Sequence, residues 1–473
     1  MTQTNLALKK LQGIKPKGIK SRSKTILETL LELCDQKVEE YVPIVENTKN
    51  YYGRFVRSEA YDSLYPDFYS KISSELDCFS FNELDLKQFI ISKGDFDNGD
   101  HENLVMGWFS AVLLELLTEK NSSKNKHTQI HLNGEGSNFD YLFYGARKFG
   151  DLFLENFSGR GICSCIGKKG VGNSIIGKNI YSDYFLSNSF NQGFVNSVIV
   201  LGCSGEGLLS RAFTDHSRVN LFIGCDLEGK NLLEHCVYNN SRVGLCYLDN
   251  IDSGSEDFLY SVADCQGNIG FLYLNSINCA KLASGNSVRT IWGKVPIIIG
   301  KNISCESSFS KAGDYTFGSE FFGLENYSSL DGRNDRGNRF RSFLSSASYW
   351  PEKYIVDGEE KNVQDLDKIS FFSSKNNRTN IGPSPREYIT YFAERTCYKT
   401  PEGKFRSCFN NKRKFVSEKK AKKDFNGYLD RYKPELFIEY ARSLDLSNPS
   451  SLQNTLDILN MLHLVCSQGD MKK

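Results

Sequence analysis

The chain is poor in the residues and patterns that announce a chemistry. Its 473 residues hold six His, four Met, three Trp and ten Pro. Charge of either sign is nearly cancelled: 58 Lys and Arg stand against 57 Asp and Glu, a net charge of +1. That balance excludes a global field drawing nucleic acid or an acidic substrate to the whole surface. No apolar run reaches the roughly 18 residues that mark a membrane-spanning helix, so no membrane association is expected. The opening MTQTNLALKKLQGIKPKGIK lacks the apolar core of a secretory signal. No paired C-x2–4-C knuckle occurs, so no structural zinc site and no cofactor are expected.

Cysteine is not scarce. Fourteen are present, without the even, close spacing of a disulfide framework. Cys203, Cys225 and Cys246 fall inside apolar runs, where a free thiol acts as a small hydrophobe. The expectation is a reducing, cytoplasmic compartment.

The chain is rich in repetition. NSIIGKN (173–179), NSVIVLGC (196–203), SRVNLFIGC (217–225), SRVGLCYLDN (241–250), GNIGFLYLNS (267–276) and GKVPIIIGKN (293–302) restate one apolar phrase. Val219, Val243, Ile269 and Val295 recur at spacings of 24, 26 and 26. Self-similarity at this period marks a solenoid, propeller or array. A coil of about 22 to 26 residues holds three short strands with corners, whereas a propeller blade needs about 40. A parallel β-helix is therefore predicted. Second strands are expected at Tyr184-Phe185-Leu186, Leu208-Leu209, Leu232-Leu233 and Phe258-Leu259-Tyr260. Gly202 and Gly224, 22 apart, are expected to share a corner, and Glu206-Gly207 to stack on Glu228-Gly229.

Around this core the composition shifts. Residues 1–24 are a basic arm with no acid among them, expected to be flexible. Residues 25–128 read as helical, with apolar faces in TILETLLELCDQKVEEYV and NLVMGWFSAVLLELL and Asn103 as an N-cap. The β-helix occupies 129–305, and 306–384 is loop-rich. Helical periodicity returns over 385–473, in REYITYFAERTCY, KKAKKDFNGYLDRY, PELFIEYARSLDL and SLQNTLDILNMLHLVC. Helical ends suit a solenoid, whose terminal coils expose strand edges that need cover.

Each candidate chemistry has an ordinary structural alternative. Cys163, Cys165, His216, His235 and Cys236 are potential ligands, read as interior thiols and solvated corners. Asp215, Asp226, Glu228, Asp249, Asp252, Glu256 and Asp264 decorate corners. Glycoside hydrolysis needs two carboxyls about 5–9.5 Å apart, and Glu206 with Glu228 is the pair whose context fits. DFDNGDHEN (95–103) misses the calcium-loop spacing and reads as an acidic loop before a helix. GKKGVGNS (167–174) misses the phosphate-loop spacing and reads as a corner. Arg333, Arg336 and Arg339 in DGRNDRGNRFR suit an anion. Residues 399–423 carry ten cations, among them Lys412, Arg413, Lys414, Lys419 and Lys420, against Glu402, Glu418 and the adjoining Asp424, with interleaved aromatics that suit base stacking.

SIIGKNI (174–180), VIVLGC and PIIIGKN, β-branched runs ending in Gly, resemble a known group. It is the Gly-rich β-helix domain at the end of the glutamate synthase large subunit, which also occurs in a formylmethanofuran dehydrogenase subunit. The resemblance covers 139–302. It implies a right-handed β-helix with a subunit-organising role, and no functional residue carries over.

The leading functional expectation is a non-catalytic intracellular scaffold that binds a protein partner or a second copy of itself. The second is a nucleic-acid-associated protein using segments 9–24 and 399–423. The third is an enzyme acting on a polysaccharide or other polymer along a solenoid face.

Overall fold

The structure is a computed structural model. It describes residues 24–47, 56–96, 98–254, 256–260, 262, 267–282, 297–308, 320–325, 328–329, 353–356, 359–362, 389–392, 395–399, 405–409, 412–416, 427 and 429–468.

The fold is a parallel β-solenoid with helices at both ends of the chain. Among the described residues, helices come first: α1 (Ile26–Asn47), α2 (Val56–Leu76), α3 (Glu83–Lys93) and α4 (Asp100–Ser122). The solenoid strands are β1 (Gln129–Asn133), β2 (Lys148–Glu155), β3 (Val171–Lys178), β4 (Phe194–Leu201), β5 (Arg218–Glu228), β6 (Arg242–Asp252), β7 (Asp257–Phe258), β8 (Asn268–Leu282) and β9 (Ile297–Ser308). Apart from β7, which pairs beside β8, each lies parallel to the next, in one sheet. Val195, Val219, Val243 and Ile269 are register partners, at the 24- and 26-residue spacings of the repeat.

The continuous apolar runs follow from burial on both sheet faces. Leu152, Ile175, Val198, Phe222, Cys246 and Leu272 point into the solenoid core. Phe153, Ile176, Ile199, Ile223, Tyr247 and Tyr273 point outward and are buried as well. Two C-terminal helices, α5 (Pro434–Arg442) and α6 (Pro449–Gln468), cover that outer face with Phe437, Ile438, Ala441, Leu452, Leu456 and Leu459. Phe437 stacks on Tyr247 at 4.5 Å, and Tyr432 on Phe271 at 4.1 Å. These helices lie along the sheet rather than across its end.

The N-terminal helices do close an end. Buried α4 crosses the first coil, and its polar side chains take backbone groups that have no preceding coil to pair with. Ser110 Oγ accepts from the Phe143 amide at 2.9 Å, and Glu115 Oε1 from the Arg147 amide at 2.9 Å. Gly107 permits the approach: a Cβ there would sit 2.3 Å from the Tyr141 carbonyl oxygen. Asn103, expected as the N-cap, lies inside the helix and donates to Asp140 at 3.1 Å; the cap position belongs to Gly99.

The register corrects the stacking expected from 22-residue spacings. Gly224 pairs with Val200, inside β5 and without a left-handed φ. Gly202 faces Asp226 one residue beyond the Leu201–Cys225 pair. Its corner is an amide ladder: Asn156 donates to Asn133, Asn179 to Asn156, and Asn250 to Asp226. Asn156, Asn179, Gly202, Asp226 and Asn250 all have φ between 53° and 59°. Asn, Asp and Gly recur there because they tolerate that region best.

Of the expected second strands, Phe258 lies in the short strand β7, whereas 184–186, 208–209 and 232–233 are turns. Residues 184–192 form overlapping turns with left-handed φ at every second position: Tyr184, Leu186, Asn188, Phe190 and Gln192. Their amides alternate between neighbouring coils. Tyr184 and Asn188 donate to Glu206 and Ser210 of the next coil, Leu186 and Phe190 to Ile162 and Ile166 of the previous one. The left-handed positions thus pair their amides with both neighbouring coils without extended backbone.

After β9 the sheet gains a further parallel strand, Glu320–Glu325, and then antiparallel strands at 389–392, 395–399, 405–409 and 412–416. REYITYFAERTCY, whose spacing predicts helix, thus carries two strands. Tertiary pairing overrides a local apolar period there.

Candidate functional site

One flank of the solenoid carries a cleft of about 320 Å³. Its walls are Tyr141, Tyr144 and Tyr184, Arg160 and Arg211, and Glu206 and Glu234. Ser164, Ser187, Ser210, Asn188 and Asn231 line the floor between them.

Two copies of one local design build it. Asp140-Tyr141 and Asp183-Tyr184 each open a left-handed turn. In both, the aspartate accepts from the next coil's backbone: Asp140 from the Arg160 amide at 2.7 Å, Asp183 from the Glu206 amide at 2.9 Å. Those coils carry Gly159-Arg160-Gly161 and Gly205-Glu206-Gly207. The second glycine of each makes room for a ring: a Cβ at Gly161 would meet Tyr141 Cδ1 at 2.7 Å, one at Gly207 Tyr184 Cδ1 at 2.7 Å. The tyrosines are thus wedged against a bare neighbouring coil.

Further bonds fix the walls. Tyr141 donates to Asp100 at 2.8 Å, its ring lies edge-on to Tyr144 at 5.7 Å, and the Arg160 guanidinium sits 5.8 Å from the Tyr184 ring centre. Ser164 and Ser187 hydroxyls donate to the Tyr184 and Ser210 carbonyls at 2.6 and 3.0 Å. The result is a surface of aromatic faces with charges of both signs, the Arg160 and Arg211 guanidiniums and the Glu206 and Glu234 carboxylates.

The expected pair Glu206 and Glu228 is not brought together as a stacked pair. Glu228 bridges to Ser204, and Gly205 faces Gly229, so Glu206 falls two residues out of step with Glu228. The coil is 24 residues long at that point, not 22. Glu206 instead faces the cleft. Asp226 and Asp249, read as solvated corners, both bind Arg442 of α5, at 2.8 and 2.7 Å.

Cys163 and Cys165 sit in left-handed turns, both buried; burial raises the Cys163 thiol far above its ordinary range. Burial likewise pushes Cys203 and Cys225 up to about 12. Such thiols stay protonated and pack as hydrophobes. His216 is exposed and Cys236 buried, and among the described residues no three His, Cys, Asp or Glu gather as a metal would need. Asp95 ties the acidic loop to the first coil, accepting from the Asn138 amide at 2.7 Å. Lys412, Arg413 and Lys414 lie on the strand Lys412–Val416. Lys419, Lys420, Arg333, Arg336 and Arg339 lie outside the described residues.

The signal for the cleft in the sequence is the pair of D-Y and the pair of G-x-G motifs, 43 and 46 residues apart. We find no matching protein family, curated protein or solved structure for this chain.

Proposed function

We propose that the chain is a non-catalytic protein-interaction scaffold and that the flank cleft holds a segment of a partner polypeptide. The composition of the cleft carries this reading. Tyr, Arg, Ser, Asn and Gly dominate its lining, the same set that dominates paratopes and binding hot spots. Tyrosine gives large contact area at low entropic cost, and Ser and Asn add adaptable hydrogen bonds. Anchoring each wall to the coil beneath reduces the ordering cost of binding. The role agrees in kind with the subunit-organising one implied by the β-helix resemblance. Cys34, Cys163, Cys165, Cys203, Cys225, Cys236, Cys246, Cys279 and Cys466 are buried thiols, not disulfides, which supports a reducing, intracellular setting.

A photo-crosslinking residue at Asn188, on the cleft floor, tests the reading in cells producing the full chain. A matching probe at exposed Glu439 on α5 serves as control. The expected result is a discrete protein adduct from the Asn188 probe alone, lost when Tyr184→Ala is added. No cleft-specific protein adduct, or binding of oligosaccharides by the purified chain that Tyr184→Ala abolishes, overturns it.

A further inference from the structure

A second surface, away from the cleft, joins the first outward position of successive strands. Lys148, Val171, Phe194, Arg218 and Arg242 are consecutive register partners on β2 to β6. All five are exposed, Val171 at 59% and Phe194 at 37%. Neighbouring coils place them about 4.8 Å apart along a straight line.

The line is chemically graded. Lys148 pairs with Glu119 at 2.6 Å. Val171 and Phe194 form an apolar centre. Arg218 and Arg242 then stand side by side, and neither side chain has a hydrogen-bond or ion-pair partner among the described residues. Exposed Lys169, at the corner just before Val171, is equally unpaired. Two guanidinium groups one coil apart repel unless an anion lies between them. Asp215, three residues before Arg218, takes its hydrogen bonds from Asn191 and Asn239 and forms no ion pair with either arginine.

We propose that this ladder docks an acidic polypeptide segment carrying apolar side chains. Phe194 and Val171 take the apolar anchors, and Arg218 and Arg242 take two carboxylates through forked hydrogen bonds. A nucleic acid fits less well. Tracking a phosphate backbone needs a continuous positive groove with several stacking rings; here two apolar residues interrupt the cations, and Lys148 is neutralised by Glu119. The ladder is separate from the cleft, so either surface stands if the other fails.

Fluorescence anisotropy with the full chain tests this, using a labelled 16-residue peptide of alternating Glu and Leu as probe and a labelled oligothymidylate of equal length as competitor. Arg218→Glu with Arg242→Glu is expected to weaken peptide binding at least 10-fold, and Phe194→Ser several-fold. Arg218→Lys with Arg242→Lys should keep charge attraction but lose part of the affinity, because Lys lacks the fork. Unchanged thermal melting shows that these exposed substitutions leave the fold intact. Absence of peptide binding, binding indifferent to the charge reversal, or oligothymidylate binding tighter than the peptide overturns the proposal.

Discussion

Glu115 shows how one residue joins two parts of the molecule. Its carboxyl accepts from the Tyr65 hydroxyl at 2.6 Å and the Arg147 amide at 2.9 Å, and its side chain is buried. Burial raises it to about 7, against the opposing pull of those two donors and of the Arg147 charge; nearby Glu119 adds to the rise. The folded value lies above the unfolded one. Stability from the neutral form is therefore complete below about pH 4.5 and is lost as pH rises through 7. Integrated over that window, the loss is on the order of 2–3 kcal/mol. Glu115→Gln removes the titration. Denaturation of both proteins at pH 4.5 and pH 8 should show the wild type losing that much more than the variant across the interval. Equal losses would refute the assignment.

A second residue-scale test concerns the left-handed turns. Lys169 has φ 54°, is exposed and has no side-chain partner among the described residues. A non-glycine residue in that region costs roughly 1–2 kcal/mol. Lys169→Gly should raise stability by up to about 1 kcal/mol, since glycine also gains unfolded-state freedom. Lys169→Val should lower it. Both are read from urea midpoints. These turns were not legible in the sequence. Tyr184-Phe185-Leu186 and Leu208-Leu209 have strand-forming composition, and nothing local distinguishes a buried turn from a buried strand. The corner at Gly202 was legible, because that position needs a residue that accepts positive φ, but its stacking partner was not, since Gly224 lies inside β5.

At the scale of elements, the repeated strands were readable and their partners were not. Continuous apolar runs such as VIVL and FLYL imply burial on both faces, but not what covers the second. Arg442 is part of the answer. It bridges Asp226 and Asp249, and the Asp249 side chain is only 4% exposed. Asn275 supplies Asp249 with one more hydrogen bond, at 2.6 Å. Removing the arginine leaves a buried carboxylate short of its cation. Because Arg442 is 41% exposed, water offsets part of the loss. Arg442→Ala should thus cost about 1–3 kcal/mol. Asp249→Asn in the same chain should recover much of that, because it removes the charge left unpaired. A double-mutant cycle by chemical denaturation measures the coupling; additive effects would show that Arg442 acts through packing alone.

At the scale of the whole molecule, the solenoid needs two different covers. Its first coil ends in unpaired backbone groups, which Ser110 and Glu115 of α4 and Asp95 of the loop before it satisfy. Its outer sheet face is apolar, which α5 and α6 cover through residues far apart in sequence from the strands they meet. Sequence period alone places helices at the chain ends, but cannot say which cover does which task, since both are amphipathic. The two tasks predict different dependence. Backbone pairing is cooperative from coil to coil, so each coil is held by its neighbours. The outer cover adds only side-chain burial, about 1.5–3 kcal/mol for each large apolar residue. Phe437→Asp with Ile438→Asp places charges against Tyr247 and the outer face and should release α5 and α6 together. Hydrogen exchange is then expected to accelerate over 429–466, while amides of β3 to β6 keep their protection. The freed face should drive self-association, visible by light scattering. Loss of protection throughout β3 to β6 would show instead that the coils cannot stand without their outer cover.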